Sequence, residues 1–294
     1  MIVYGTRILT DVDLPLDLSH HTAARYDVEL VTTVPAILKN SITYGFPFSQ
    51  AHGREVYLYS DREFNGSHRG QPWCYEVKDV VRFYWVGGEP MIFFELDEKG
   101  NVNLMSFWFI HLLLPLYFTL EERYNFLHAG AVDVDDKPVL FMAPSMGGKS
   151  TMTDYFIRQG HSLVSDDKVA TFLQDGKYMA VGSHPHHRPY RKFEELGYHV
   201  NNFTEDFKPI HAFYVLKQTK IDAEFMIEEI RGFEKFNTLL PNNLYMFSYL
   251  KLKRLKYLSQ MLNSIRFFCV RLPWDMERLG EVYREICEHS KGVK

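Results

Sequence analysis

Cysteine is scarce in this sequence. The three cysteines among 294 residues are odd in number and far apart, at Cys74, Cys269 and Cys287. This pattern excludes a disulfide framework and a metal site built on closely spaced cysteines. Free thiols suit a reducing compartment, so we expect a cytoplasmic protein.

A strong charge of either sign is also missing. The chain has 33 basic and 37 acidic residues, which gives a formal net charge of -4. Such a balance does not indicate nucleic acid or an anionic membrane as the main partner. Hydrophobic residues make up 46% and charged residues 24%, as in ordinary globular proteins of one large or two modest domains.

The chain lacks a long apolar run and a basic leader. Its first residues do not form a basic segment followed by an apolar stretch, so we expect no secretory signal. The longest apolar segment, residues 104–120, is shorter than the roughly 20 residues of a membrane span and contains His111 and Pro115. A lone histidine is costly in hydrocarbon, whereas a protein core can supply a partner. We therefore predict a buried core helix, with a kink allowed by Pro115, in preference to a membrane anchor.

Aromatic residues, in contrast, are abundant. They make up 15% of the chain, with 23 Phe and 18 Tyr, and they indicate either an aromatic core or a groove lined with rings. Runs rich in Val, Tyr, Phe and Thr predict strands at residues 26–32, 55–60, 73–77, 81–86 and 91–96. Residues 40–53 and 61–71 have the composition of loops. We predict a β-rich N-terminal domain, residues 1–122, that ends in the apolar helix.

The second part of the chain alternates strands with helices. Strands are predicted at 138–142, 162–165, 169–173, 178–181, 211–216, 223–230 and 265–272, and helices at 149–159, 249–263 and 275–289. This alternation is typical of an α/β nucleotide-binding domain. We predict that residues 123–294 form this domain, so that the protein is α/β there and α+β overall.

A candidate phosphate loop follows the strand at 138–142. Residues 143–150 read Ala-Pro-Ser-Met-Gly-Gly-Lys-Ser and open a predicted helix. Loop amides and a helix N-terminus attract phosphate, and glycines let the backbone approach it closely. Lys149 would contact the β- and γ-phosphates of ATP, and the Ser150 hydroxyl would hold Mg²⁺. The predicted nucleotide-binding residues are Ser145, Met146, Gly147, Gly148, Lys149, Ser150, Thr151 and, further along the chain, Arg188.

Two alternatives bear on this loop. The segment could be a glycine-rich helix cap with an exposed lysine and no ligand. The usual pattern also has glycine where this chain has Ala143. If that position requires positive φ, alanine costs about 1–2 kcal/mol, which a folded domain tolerates.

Two adjacent carboxylates end the strand at 162–165. Asp166 and Asp167 stand at the carboxyl end of a strand, where α/β sheets place their ligand groups. Consecutive strand residues point to opposite faces, so the two side chains are expected to have different tasks. One of the two would hold Mg²⁺ and the other would face the acceptor hydroxyl. A solvated turn is the alternative.

These segments together resemble a known family. Residues 127–132, 139–150 and 158–167 look like the catalytic core of HPr kinase/phosphorylase. They resemble more closely its stand-alone serine-kinase relatives, found in lasso-peptide and other peptide-modifying gene clusters. The resemblance covers 128–181 and extends loosely to the C-terminus and to residues 4–8 and 14–16. It implies nucleotide contacts for Lys149 and Ser150, a proton-accepting role for Asp167 and a catalytic role for His128. Asp166 is then the predicted second metal contact, directly or through water.

The resemblance has gaps. The two-way enzymes use a further metal carboxylate, for which Glu194 and Glu195 are candidates by proximity, and their long downstream signature is absent. Residues 185–190 resemble the proline- and arginine-containing stretch of the stand-alone kinases, in which Arg188 would contact phosphate or an acidic substrate, or lie on the surface. Kinase action is therefore predicted in preference to phosphorolysis. His128 could alternatively be a core histidine.

Two further patterns have plainer interpretations. His184, His186 and His187 suggest zinc, but extended neighbours point apart and no further ligand spacing completes a tetrahedral set. Residues 251–256 alternate basic residues with leucine, which is typical of a solvated helix face. A contact with phosphate or an acidic peptide is the alternative there.

The leading hypothesis is an ATP- and Mg²⁺-dependent kinase with an alcohol acceptor, a serine of a peptide or protein. A small-molecule kinase acting on free serine or a sugar is the second hypothesis. A non-catalytic ATP-binding regulatory module is the third. We expect no nucleic-acid or membrane partner, and the sequence leaves the number of subunits open, a homo-oligomer included.

Overall fold

The computed structural model describes residues 2–15, 24–64, 66–189 and 194–293. The chain divides into two compact units. Unit 1 comprises residues 1–124 and 190–196, and unit 2 comprises 125–189 and 197–294. The sequence-based division assigned residues 190–196 to the second domain, whereas they cluster with the first. Leu16 and Tyr190, which belong to the family resemblance, lie outside the described residues.

Unit 1 is built on one eight-stranded sheet. Its strands are β1 Ile2–Val3, β2 Thr6–Leu9, β3 Tyr26–Val31, β4 Tyr44–Ala51, β5 Arg54–Ser60, β6 Pro72–Val77, β7 Val81–Val86 and β8 Met91–Leu96. Their order across the sheet is β1-β2-β3-β8-β7-β6-β5-β4. β3 pairs in parallel with β2 and β8, and the other pairs are antiparallel.

The prediction of a loop over residues 40–53 was wrong. Helix α1, Ala36–Ser41, and strand β4 occupy most of it. His52 and Gly53, both with positive φ, make the tight turn into β5. Pro47 obscured the strand in the sequence, yet β4 lies at the sheet edge and its register shifts just after Pro47, which are the places where a strand tolerates proline.

The apolar segment forms one helix inside unit 1, with a π-helical segment in its middle. It consists of α2 Val102–Trp108, a π-helical segment Phe109–Leu113, and α3 Leu114–Leu120. Pro115 lies in the first turn of α3, where its missing N–H is tolerated. The expectation that this segment is too short for a membrane span was wrong, because residues 102–120 are long and apolar enough to cross a membrane. In the protein, 78% of the apolar window is buried. That burial is as expected of the predicted core helix.

Aromatic rings fill the core of unit 1. Trp73 and Trp85 stack with centroids 6.1 Å apart, and Trp85 meets the edge of Tyr117 at 6.2 Å. Phe83 packs against Phe109 at 5.9 Å. All five side chains are fully buried. Part of the aromatic surplus in the sequence therefore lies in this core.

Unit 2 contains twelve strands and four α-helices within the described residues. The strands are β9 Asn125–His128, β10 Gly130–Val134, β11 Lys137–Met142, β12 Ser162–Ser165, β13 Lys168–Gln174, β14 Lys177–Val181, β15 His186–His187, β16 Tyr198–His199, β17 Phe207–Pro209, β18 Ala212–Thr219, β19 Met226–Ile230 and β20 Arg266–Pro273. The helices are α4 Lys149–Arg158, α5 Phe233–Leu239, α6 Lys251–Ser264 and α7 Leu279–Gly292, and short 3₁₀ turns cover Leu240–Asn242, Ser248–Leu250 and Met276–Arg278.

A six-stranded sheet, in the order β12-β10-β11-β18-β20-β19, organises unit 2. β11, β18 and β20 are parallel, so their carboxyl ends meet at one edge. Leu140 and Met142 pack on one face with α6 and the second sheet, β17-β14-β13-β9, while Val139 and Phe141 pack on the other with α4 and α7. Burial on both faces explains why β11 is a continuous apolar run. The protein thus mixes α and β structure over several sheets, as predicted.

Candidate active site

The candidate phosphate loop joins the end of β11 to the start of α4. Gly148 is the N-cap residue of α4, with φ +88°, and provides no side-chain hydrogen bond to the helix. The first amides of the helix therefore lack a capping side chain from this residue, an arrangement suited to an anion. A Cβ at Gly147 would lie 2.8 Å from the Cβ of Ala143 and 2.9 Å from the carbonyl oxygen of Pro144. Both glycines are required by the local backbone.

Alanine at position 143 does not strain the loop. Ala143 is buried, and its φ is not in the left-handed region. The non-glycine loop residue with positive φ is Met146, at +61°. The cost that the sequence allowed for at Ala143 therefore does not arise there, and any such strain belongs to Met146.

Three predicted catalytic side chains meet beside this loop. Lys149 Nζ lies 2.6 Å from His128 Nε2 and 3.7 Å from Asp167 Oδ1. His128 Nδ1 lies 3.3 Å from the same Asp167 oxygen. His128 is the last residue of β9, Lys149 is the first of α4, and Asp167 precedes β13, which pairs with β9 so that Lys168 is opposite His128. The register of these two strands brings the histidine to the aspartate.

The distances assign a protonation pattern to the His128 ring. An ammonium has no acceptor, so Lys149 donates to Nε2 of His128. Nδ1 then carries the ring proton and faces the carboxylate of Asp167. The Lys149 charge is compensated by these neighbours although the residue is only 4% exposed. The Asp167 side chain remains 39% exposed and is accessible to an incoming group.

Asp166 has a different environment. Its side chain is 7% exposed, and Oδ1 lies 2.8 Å from Nδ1 of the buried His187. Oδ2 accepts a hydrogen bond of 2.9 Å from the backbone N–H of Arg188. These contacts hold the Asp166 carboxylate in place, and the metal contact predicted for it, directly or through water, stays a prediction.

A polar network continues from Asp166 to helix α4. His187 Nε2 lies 3.7 Å from Asp154 Oδ1, and Tyr198 donates a hydrogen bond of 2.5 Å to the same oxygen. Arg158 forms an ion pair with Asp154 one turn along the helix, at 2.8 Å. Burial, followed by the hydrogen bond to Asp154, raises the pKa of Tyr198. The network ties the helix that follows the loop to the strand that ends at the acidic pair.

Apart from Arg188, the other predicted nucleotide residues and the predicted metal residue Ser150 lie in the loop and the first turn of α4. Ser145 and Met146 are exposed, and Ser150 and Thr151 are half-buried. Among the described residues, no group of three or more His, Cys, Asp or Glu side chains could hold a metal ion. Magnesium fits such a poor protein donor set because it commonly takes its other ligands from phosphate and water. Ser150, with the acidic pair nearby, is compatible with that mode.

Glu194 is not available as the extra metal carboxylate suggested by the sequence. Within unit 1 it accepts hydrogen bonds from Arg54 Nη2 at 2.8 Å and from the Trp108 indole at 2.7 Å. Burial acts to raise the pKa of Glu194, but the hydrogen bonds from Arg54 and Trp108 outweigh it and lower the pKa. Glu195 is assigned to the same unit and is exposed.

The histidine-rich segment forms a cluster of rings. His184 lies 6.0 Å from His186, and His186 lies 5.8 Å from His199, measured between centroids. Burial, with the positive charges of His186 and Arg188, lowers the pKa of His184 to about 3.

The basic stretch at 251–256 lies on α6. Lys251, Lys253 and Lys256 are exposed, while Arg254 is buried. The three lysines accord with the solvated face predicted for this helix.

Three residues near the loop were missed by sequence reasoning. Gln218, near the end of β18, donates a hydrogen bond of 3.0 Å to the carbonyl oxygen of Met146. Trp274, just after β20, packs against Gly148. Tyr245 interacts electrostatically with Asp167: burial, and then the Asp167 charge, raise the pKa of Tyr245. Parallel strands bring their carboxyl ends to one edge, so the ends of β18 and β20 were the signal available for the first two.

Comparison with known proteins gives a limited result. No family model matches this chain, and no curated protein matches it. Among solved structures, the Hpr(Ser) kinase/phosphatase from Coxiella burnetii is similar over 57% of this chain and 97% of that chain, with 12% sequence identity and a TM-score of 0.35. Similarity at this level establishes neither a family nor an activity for this chain.

Proposed function

We propose that unit 2 is a kinase that uses ATP and Mg²⁺ to phosphorylate an alcohol, namely a serine of a peptide or protein. The observation that carries this proposal is the meeting of Lys149, His128 and Asp167 within 2.6 to 3.7 Å at the start of the helix that follows the glycine loop. A helix N-terminus beside a cation and a partly exposed carboxylate supplies what phosphoryl transfer requires: phosphate binding, charge compensation and a proton acceptor.

Each side chain has a task in this proposal. Lys149 would offset negative charge on the β- and γ-phosphates. Asp167 would accept the proton of the acceptor hydroxyl as that oxygen bonds to the γ-phosphorus and the bond to the β-phosphate oxygen breaks. His128 would hold the Asp167 carboxylate through its Nδ1 proton and orient Lys149 through Nε2. Asp166, held by His187 and the Arg188 amide, would fix the backbone that presents Asp167.

The cofactors fit the residues present. Bound ATP and Mg²⁺ supply the transferable phosphoryl group and further neutralise its charge. The loop amides from Ser145 to Gly148, together with Lys149, Ser150 and Thr151, would hold the phosphates, and the Ser150 hydroxyl would hold the metal. The guanidinium of Arg188 would contact either the phosphates or the acceptor. The three free thiols support a cytosolic location for this activity.

The direct test replaces Asp167 with asparagine. Radiolabelled γ-phosphate transfer is measured against serine-containing peptides, free serine and sugars, and MgATP binding is measured by calorimetry. We expect Asp167→Asn to lower transfer by about 10²- to 10⁴-fold, with MgATP affinity changed only a few-fold. Asp175→Asn is the matched control, because Asp175 lies in the exposed β13–β14 turn with φ +50° and asparagine tolerates that conformation.

Three results would contradict parts of the proposal. Transfer by Asp167→Asn at the rate of the unaltered protein would remove Asp167 from the proton-accepting role. Tight MgATP binding without transfer to any tested acceptor would replace the kinase by a regulatory ATP-binding module. Transfer to free serine or a sugar, but not to peptides, would reassign the acceptor.

A further inference from the structure

Trp274 differs from the other tryptophans of the chain. Its side chain is 50% exposed, whereas Trp73, Trp85 and Trp108 are fully buried in unit 1. A large apolar ring left half in water is unfavourable unless another group covers it. Trp274 follows directly on β20, at the sheet edge where the parallel strands end.

The ring of Trp274 lies against the phosphate loop. Its Cζ3 and Cη2 atoms are 3.1 and 3.5 Å from the position that a Cβ on Gly148 would occupy. Gly148 directly precedes Lys149 and caps α4. The indole therefore adjoins the backbone that would bind the phosphates of a nucleotide.

The backbone that carries the ring is fixed on both sides. Trp274 donates its amide to the carbonyl oxygen of Thr219 at 3.2 Å, and the Asp275 amide bonds to the carbonyl oxygen of Pro273 at 2.8 Å. The Asp275 side chain caps the next turn by accepting from the Glu277 amide at 2.9 Å. A ring on a backbone held in this way is preorganised, which reduces the entropy lost on binding.

We infer that Trp274 is the platform on which the purine base of the nucleotide stacks. The inference rests on the proposed function, because it needs the phosphates on the loop beside Gly148. An indole presents a π face to any base, and such stacking strengthens binding substantially. A nucleotide whose phosphates occupy the loop would cover the exposed part of this ring with its base.

The competing explanation is packing. In that case the indole only covers Gly148 and shapes the loop. If Trp274 is a platform, removing its ring weakens the binding only of ligands that carry a base. If its role is packing, removing the ring weakens the binding of every ligand of the loop. Inorganic tripolyphosphate, which has the phosphates but no base, separates the two.

The experiment follows tryptophan fluorescence with excitation at the red edge of the indole band during titration with Mg-ATP and with Mg-tripolyphosphate. We expect ATP to quench the emission and tripolyphosphate to bind without quenching. Trp274→Ala should weaken ATP binding by about 5- to 150-fold and leave tripolyphosphate affinity unchanged. Trp274→Phe, which keeps an aromatic face, should retain most of the ATP affinity while losing the quenching.

Met276→Ala is the control, because Met276 is an exposed apolar side chain, 71% accessible, two residues further on. It should change neither affinity. Equal weakening of both ligands by Trp274→Ala would overturn the platform in favour of packing, and so would unchanged ATP affinity in that variant. Failure of both ligands to bind the unaltered protein would instead overturn the proposed function, and the platform with it.

Discussion

The two units of this protein bury different kinds of residue. In the described part of unit 1, the polar residues buried as a whole are neutral or histidine: Thr6, Ser60, Gln71, Ser106, His111 and Thr119. The side chain of Glu121, however, is only 7% exposed. The aspartate, lysine and arginine residues that are buried as a whole in the described chain lie in unit 2: Asp133, Lys149, Asp154, Asp166 and Arg254. Both units contain stacked rings, so the difference between them is the charge buried in unit 2.

This contrast distinguishes a structural core from a candidate site. Burying a charge is costly unless partners compensate it, so charges persist inside a protein where they are paired or used. Lys149 and Asp154 lie on α4, the helix that follows the loop, and Asp166 is linked to Asp154 through His187. Their concentration around one helix supports placing the chemistry in unit 2.

The largest expected effect is the loss of stability when a buried ring is removed from unit 1. Trp85→Ala removes a fully buried indole that stacks on Trp73 and meets Tyr117. We expect a loss of about 3–5 kcal/mol in the free energy of unfolding, seen as faster hydrogen exchange in β6 and β7. Trp274→Ala, at a half-exposed ring, should cost far less. Similar losses for the two variants would remove the distinction between core and exposed rings.

The next effect contrasts the two adjacent aspartates of unit 2. Asp166→Ala deprives the Arg188 amide of its acceptor and the buried His187 of its carboxylate neighbour. We expect a loss of about 3 kcal/mol of stability in urea denaturation. Asp167→Ala should cost less, because water screens its partly exposed carboxylate, although the buried Lys149 ammonium loses part of its compensation. A larger loss for Asp167→Ala would reverse the assignment of the two roles.

A smaller effect concerns the contact between α4 and the sheet. A Cβ at Gly130 would collide with Thr153 Oγ1 on α4, so Gly130→Ala should destabilise the protein by about 2 kcal/mol. Adding Thr153→Ala should restore part of the loss. Gly66→Ala is the control, since Gly66 has ordinary φ and no atom within 4 Å of its Cβ position. Lack of rescue by the double variant would show that this contact is not the cause.

The smallest effect at mildly acidic pH is a loss of stability that unit 2 should show as the pH falls. His184 has a pKa of about 3 in the fold against 6.5 when unfolded, owing first to burial. As the pH falls below 6.5, the unfolded chain binds a proton that the folded protein does not. Stability should therefore fall by about 1.4 kcal/mol per pH unit between 6.5 and 3.

Denaturation midpoints at several pH values measure this slope. His184→Gln should flatten it, whereas the same substitution at the exposed His199 should leave it intact. A slope unaffected by His184→Gln would show that other groups control the acid response.

Local pattern predicted much of this architecture. Strands 81–86 and 91–96 were placed to the residue, and the turn at Asp175 and Gly176 has the two positive φ values that a tight hairpin requires. The family resemblance, and no local pattern, grouped Lys149, His128 and Asp167, which lie within 3.7 Å of one another. The strands and the turn depend on neighbours in the chain, on alternation and on glycine chemistry.

The parts that were missed depend on pairings distant in sequence. Gln218 bonds to the loop at Met146, 72 residues earlier, and the Arg54–Glu194 pair spans 140 residues. No local pattern predicts the register of parallel strands. None predicts that Glu194, a residue type usually found at the surface, pairs with Arg54. The different environments of Asp166 and Asp167 likewise became visible only once His187 was seen beside the first of them.

The return of residues 190–196 to unit 1 has a practical consequence for dissecting the protein. A protease cleaving after Tyr124 would leave that stretch on the other fragment. The Arg54 guanidinium and the Trp108 indole would then lose the carboxylate of Glu194. A fragment that ends at residue 124 therefore lacks part of unit 1. The two units are best studied in the full chain.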